Sequence, residues 1–156
     1  MVLLRLFFNG AWVSENNKGD IGVVIRNENG EVMGAKASSI NIEENSFCVE
    51  AKAMVSAMIF ALEMSFTDVE FEGDALTVIK KMQEGEADFS TIWNDIEEAR
   101  NRVSTFRNCS FKHVGRKGNE AANKLAKYGM GIASENVSVK ECPSLLENII
   151  ANDICL

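Results

Sequence analysis

The sequence is poor in proline, histidine and cysteine, and each shortage excludes something. A single Pro, at position 143, and eleven Gly leave no tract with the composition of a linker or low-complexity segment, and no internal repeat is visible. The four cysteines, Cys48, Cys109, Cys142 and Cys155, share no CxxC spacing. That speaks against a zinc site or a disulfide framework and points to reduced thiols in an intracellular compartment, nucleus or cytoplasm. The sequon matches "NCS" and "NVS" carry no meaning without a secretory route. The longest apolar run, "AMVSAMIFAL", is too short to span a bilayer. "MVLLRLFF" has Arg in its middle and no small-residue cleavage site, so it is not read as a signal peptide. Neither membrane insertion nor secretion is expected.

What is present fits one compact domain. At 156 residues, 46% hydrophobic and 25% charged, the chain can bury a single core. The net charge of −7 argues against nonspecific nucleic-acid binding by the whole surface. Charge is, however, segregated. Residues 41–98 hold fourteen acids and three bases, a balance of −11, whereas residues 100–127 hold eight bases against Glu120 alone, a balance of +7. The basic segment reads either as a solvated helix face or as a nucleic-acid contact.

Along the chain, "LLRLFFNGAWV" has the apolar and aromatic content of a central strand. "DIGVVIRNENGEVMGAKA" is a hairpin, two β-prone runs around Asn29-Gly30. In "EENSFCVEAKAMVSAMIFALEM", Phe47, Ala51, Met54, Val55, Met58 and Leu62 recur at three- and four-residue steps, predicting a long amphipathic helix. "DVEFEGD" alternates as a strand, and "ALTVIKKMQEG" is a helix closed by Gly85. A helix over "TIWNDIEEARNRVSTF", a strand "CSFKHV" and a helix "GNEAANKLAKYG" follow. A last helix, "PSLLENIIANDI", starts on Pro143 at a permitted first-turn position. The order βββαβα, then αβαα, predicts an α/β domain with a mixed five-stranded sheet, three antiparallel strands and then two crossover-connected ones, flanked by helices. Residues 1–133 form the domain, and 134–156 an extension whose short helix packs on it.

Four polar residues stand at strand ends or inward-leaning helix positions. Asn9 ends the first strand, Glu50 borders the apolar stripe of the long helix, Asp74 closes "EFEGD", and Asn123 lies one turn after Asn119. Ligands of open α/β sheets gather beyond the carboxyl ends of strands, where Asn9 and Asp74 would meet. Each also has a plainer reading: Asp74 as a helix cap, Glu50 as an exposed helix residue, the two Asn as partners of local backbone.

The stretches "FFNGAW", "GDIGVVIRNENGEVMGA", "VEAKAMVSAMIFALEM", "VEFEGDALTVIKKM", "FKHVGRKGNEAANKLAKYG" and "PSLLENIIANDI", in this order over nearly the whole chain, resemble the ribonuclease H-like domain of plant reverse-transcriptase-like proteins. The resemblance implies a ribonuclease H-like fold, an RNA–DNA hybrid as partner, and a hydrolase in which four carboxylates hold two Mg²⁺ or Mn²⁺ ions. Carried over position by position, the family's carboxylates fall on Asn9, Glu50, Asp74 and Asn123, and its histidine on His113, the only His in the chain.

Two of the four metal-binding positions are therefore amides. An Asn carbonyl can still coordinate Mg²⁺ but carries no charge, so the ligand set falls from −4 to −2 against two dications. The expectations are weak metal occupancy and little or no hydrolysis. Hybrid recognition would survive through phosphate and 2′-hydroxyl contacts, with Lys112, Arg116, Lys117, Asn119 and Asn45 as candidate contacts and Asn16 and Asn17 as weaker ones. The chain lacks the strongly basic helical protrusion of bacterial relatives, so affinity should be modest and salt-dependent. Two other readings stay open: an active ribonuclease that tolerates the amides, and a non-enzymatic protein-interaction module on the same scaffold. A monomer is expected.

Overall fold

The computed structural model describes residues 3–13, 17–41, 46–84, 92–129 and 137–139. The first strand, β1 (Leu4–Val13), is central and apolar on both faces: Leu4, Leu6 and Phe8 join one core, Phe7 the other. It pairs antiparallel with β2 (Lys18–Arg26), which pairs antiparallel with β3 (Val32–Asn41). The connecting turn is built by Asn27, whose side-chain oxygen accepts from the backbone N–H groups of Asn29 and Glu31. Gly30 takes the left-handed conformation there (φ 81°), open to glycine at no steric cost.

On the other side of β1 the strands run parallel, β4 (Asp68–Gly73) and then β5 (Asn108–His113). These five strands have the expected order and sense. A sixth, β6 (Val137–Val139), was not expected; it pairs antiparallel with β3, giving the order β5-β4-β1-β2-β3-β6. The helix expected over residues 143–154 and the closing Gly85 lie outside the described residues.

Helices cover both faces. On one lie α1 (Ser46–Glu63), α2 (Leu76–Glu84) and α3 (Trp93–Arg102). The helix α1 is less amphipathic than its spacing predicted. Between Cys48 and Ala61 it buries ten residues, among them Val49, Ala53 and Ala57, because the sheet, α2 and α3 enclose it on several sides. The helix expected over 91–106 ends at Arg102 and tightens into a 3₁₀ turn over Val103–Thr105. The opposite face is covered by α4 (Glu120–Gly129), entered through a 3₁₀ turn at Arg116–Asn119. Its Ala121, Ala122 and Leu125 pack on Phe7, Val24, Ala35 and Ala37.

Small residues let α4 approach closely. A Cβ on Gly22 would lie 2.1 Å from the Ala122 carbonyl oxygen and 2.6 Å from the Ala126 nitrogen. Both are backbone atoms of a helix and cannot rotate away. Gly22→Ala is therefore expected to lower stability by about 2–3 kcal/mol, the upper part of the overpacking range, read as a reduced denaturation midpoint at unchanged m-value.

Candidate functional site

The register gathers the expected residues at one end of the sheet. Phe7 of β1 pairs with Glu72 of β4, so two residues further on Asn9 comes beside Asp74. Gly73 pairs with His113 of β5, and Val114 N–H donates to the Gly73 carbonyl at 2.9 Å. The carboxyl ends of β4 and β5 thus lie beside the middle of β1, the usual neighbourhood for a ligand in such sheets; β1 itself runs on to Val13, so Asn9 sits within the strand and not near its end as expected, because the pairing with β2 continues past it.

Two helices lean over this edge. Asn9 is opposite Gly22, and Gly22 receives the Ala122 carbonyl of α4, so the helix that carries Asn123 passes close to the strand beside Asn9. On the other face Gly10 abuts α1: a Cβ there would be 2.7 Å from both Cγ1 and the carbonyl oxygen of Val49. Gly10 N–H accordingly reaches the carboxylate of the next residue, Glu50.

The electrostatics follow from that crowding. Burial, then the charge of Asp74, push the Glu50 carboxyl up to about 8, with the Gly10 N–H acting in the opposite direction. Its Oε2 is buried with no hydrogen-bond partner in the protein, the kind of orphan that calls for a ligand or a water. Asn9 is buried, and Asp74 and Asn123 are half-buried.

His113, Lys112, Arg116 and Lys117 are all exposed beside these strand ends. Asn119 departs from the expectation of a surface contact. It is 1% exposed and its Nδ2 donates to the Phe8 carbonyl at 2.9 Å, so it ties the start of α4 to β1 and has no face to offer a nucleic acid. Asn17 is exposed in a left-handed turn. Asn16 and Asn45 lie outside the described residues.

Two features near the site had no role in the sequence reading. Glu72, 1% exposed, takes a bidentate pair of hydrogen bonds from Arg5 at 2.6 and 2.9 Å, and the guanidinium sits 5.0 Å from the Phe7 ring centroid. The signal was an acid at an alternating position inside a strand, but its partner is 67 residues away. Asp20, 2% exposed on β2 opposite Ala11, is held above the usual carboxylate range by burial, against a Ser39 hydrogen bond and the Lys18 charge. Cys48 is buried and Cys109 partly so, and burial pushes Cys109 up to about 12, which makes it inert. Among the described residues no helix is long and apolar enough to cross a membrane.

Comparison with solved structures places the fold. Ribonuclease H1 of the halophilic archaeon Halobacterium salinarum NRC-1 superposes with a TM-score of 0.77 at 24% identity, covering 84% of this chain and 99% of the other. The N-terminal ribonuclease H domain of a Mycobacterium tuberculosis protein gives 0.74 at 17%, over 84% and 95%. LC11-RNase H1, solved in complex with an RNA/DNA hybrid, gives 0.72 at 20%, over 83% and 98%. The fold is the ribonuclease H fold, as the resemblance implied. No curated protein sequence matches the chain. Residues 7–129, which carry β1 through α4 and every candidate position from Asn9 to Asn123, match the family described as reverse transcriptase-like, and the chain belongs to that family.

Proposed function

We propose that this chain is a nucleic-acid-binding domain for RNA–DNA hybrids whose two-metal endonuclease site is disabled or severely impaired. What supports the reading is that two of the four positions at which the family resemblance expects carboxylates, Asn9 and Asn123, carry amides, while the remaining pair, Glu50 and Asp74, lie close enough for the Asp74 charge to raise the Glu50 carboxyl. Among the described residues no group of three or more His, Cys, Asp or Glu could hold a metal ion. Two Mg²⁺ ions need several anionic oxygens to offset their mutual repulsion and the cost of dehydration. At an effective dielectric of about 20, each missing charge near 4 Å forfeits roughly 8 kcal/mol of gross attraction to one dication. The unpartnered Glu50 Oε2 suits a single cation or a water, but the donor set does not fit a pair of Mg²⁺ or Mn²⁺ ions. The electrostatics are the same whether the amides are natural or introduced.

Binding makes no such demand. Lys112, Arg116 and Lys117 are exposed beside the strand ends, within the segment of net charge +7, where backbone phosphates would be neutralised. The expected result is saturable binding of a labelled hybrid that weakens steeply between 50 and 200 mM salt. With three such contacts the logarithmic slope should be about −2 to −3. No cleavage is expected with Mg²⁺ or Mn²⁺. Turnover by the unaltered chain would support the active-ribonuclease reading, and absence of binding at low salt the protein-interaction module.

A further inference from the structure

Most guanidinium groups of this chain are already committed within it. Arg5 holds Glu72, Arg102 holds Glu98 and Arg107 holds Asp68. Arg26 donates to the Gly30 carbonyl, and Arg100 lies over the Trp93 ring. Lys52 pairs with Asp95, and Lys36 sits over Phe60. The sixth arginine, Arg116, behaves differently, as do Lys112, Lys117, Lys124 and Lys127. All five are exposed, and none has an ion pair among the described residues.

These five cations follow one another along the chain, and between residues 112 and 127 the only acid is Glu120. It stands in the first turn of α4, where a carboxylate is stabilised by the helix dipole. Outside the stretch 11 bases face 22 acids, from totals of 16 and 23. A polyanion is thus repelled by the rest of the surface and drawn here.

The five also share one side of the sheet. Lys112 pairs with Glu72 and Glu72 with Phe7, and Phe7 packs against α4. The helix α4 turns Ala121, Ala122 and Leu125 inward and leaves Lys124 and Lys127 on its outer surface. Lys127 comes four residues after Asn123, so the two are neighbours on the helix. The basic strip therefore starts at the candidate site and runs outward along α4, whose 10 residues span about 15 Å. That is the axial length of about four phosphates of one strand.

We infer that the outer surface of α4, through Lys124 and Lys127, carries the phosphate backbone of a nucleic-acid duplex as it leaves the strand ends. The inference rests on the nucleic-acid reading above and adds two contacts to Lys112, Arg116 and Lys117. A row of phosphates fits better than an acidic protein segment, because the strip is continuous with the three cations beside the candidate site. Cations that are not already paired are the ones that displace condensed counterions from a duplex. Arg102, paired on α3, is therefore not part of the strip.

The test is the salt dependence of binding to an RNA–DNA hybrid of about 16 base pairs and to a DNA duplex of the same length. Five contacts predict a logarithmic slope of about −4.5, a loss of about 500-fold between 50 and 200 mM salt. Three contacts predict about −2.7 and about 40-fold. The unaltered chain and Arg102→Gln should show the steeper dependence, and the double variant Lys124→Gln/Lys127→Gln the shallower one, on both probes. Gln keeps nearly the helix propensity of Lys, and an unchanged urea midpoint checks the fold. A slope of about −2 to −3 for the unaltered chain, or no difference between it and the double variant, would overturn the inference while leaving hybrid binding intact. Equal affinity for both probes, with the slope still falling in the double variant, would support the strip and count against the hybrid reading. No binding of either probe at 50 mM salt would sink both. Polyglutamate captured by the unaltered chain and lost by the double variant, with the nucleic-acid slopes unmoved, would hand α4 to an acidic protein and overturn the inference too.

Discussion

Returning Asn9 and Asn123 together to aspartate is expected to raise Mg²⁺-dependent cleavage of an RNA–DNA hybrid by about 10³-fold or more over the unaltered chain. Each restored carboxylate recovers roughly 8 kcal/mol of gross attraction to one dication about 4 Å away at an effective dielectric of 20. Dehydration and the crowding of further negative charge beside Glu50 and Asp74 remove part of this. A net recovery near 4 kcal/mol for the pair, expressed in the transition state, is a factor of about 10³. The single reversals should fall short of half that effect each on a logarithmic scale, because a metal pair is held by its ligands as a unit. Asn9→Asp should be the larger, since Asn9 is buried and Asn123 only half-buried, so a charge at position 9 is less screened by water. The control is the double reversal carrying Asp74→Asn, which should be silent. Mn²⁺ binding followed by its paramagnetic resonance separates metal capture from chemistry. A double reversal that binds Mn²⁺ but does not cut would place the decay beyond the ligand set. One that binds no more Mn²⁺ than the unaltered chain would defeat the electrostatic argument itself.

The parts legible in the sequence were those fixed by local periodicity. The strands β1 to β5 and the helices α1 to α4 announce themselves through apolar spacing, turn residues and helix stops, and their order already implies a mixed sheet. The end of β4 was legible for the same reason, since "EFEGD" finishes a β-prone run on a polar residue, whereas "FFNG" does not end β1, whose pairing with β2 carries it on to Val13. What stayed hidden depends on contacts distant in sequence. "VSV" is too short to show a period, so β6 exists only because β3 offers an edge. The burial of α1 on several sides comes from α2 and α3, not from its own pattern. Asn119 was read as a surface group because Asn is polar, although its amide reaches a carbonyl 111 residues away. The bidentate Arg5–Glu72 pair has the same character. The candidate site is intermediate. The identities of Asn9, Glu50, Asp74 and Asn123 were legible, but their convergence rests on Gly10 and Gly22, whose missing side chains let α1 and α4 close on the strand from opposite faces.

That convergence makes Glu50 a liability as well as a ligand candidate, and its pH dependence should show it. In metal-free buffer burial and the Asp74 charge hold the Glu50 carboxyl up at about 8 in the folded chain, against 4.5 for the ordinary carboxyl of the unfolded one. Between those values the unfolded chain has released a proton that the folded chain still holds. The unfolded state then binds fewer protons, so stability falls as pH rises from about 4.5 to about 8. At about 1.36 kcal/mol per pKa unit the full span corresponds to about 5 kcal/mol. Glu50→Gln keeps an acceptor for the Gly10 N–H and removes the titration. It should leave stability at pH 5 nearly unchanged and raise it at pH 8 by on the order of 3 kcal/mol, measured by urea denaturation of both chains in parallel. The residual slope of the variant reports the other carboxyl held high by burial, Asp20. An equal gain at pH 5 and pH 8 would mean that the substitution acts through packing, and that the Asp74 charge and the closing of α1 on Gly10 do not hold the Glu50 proton in place.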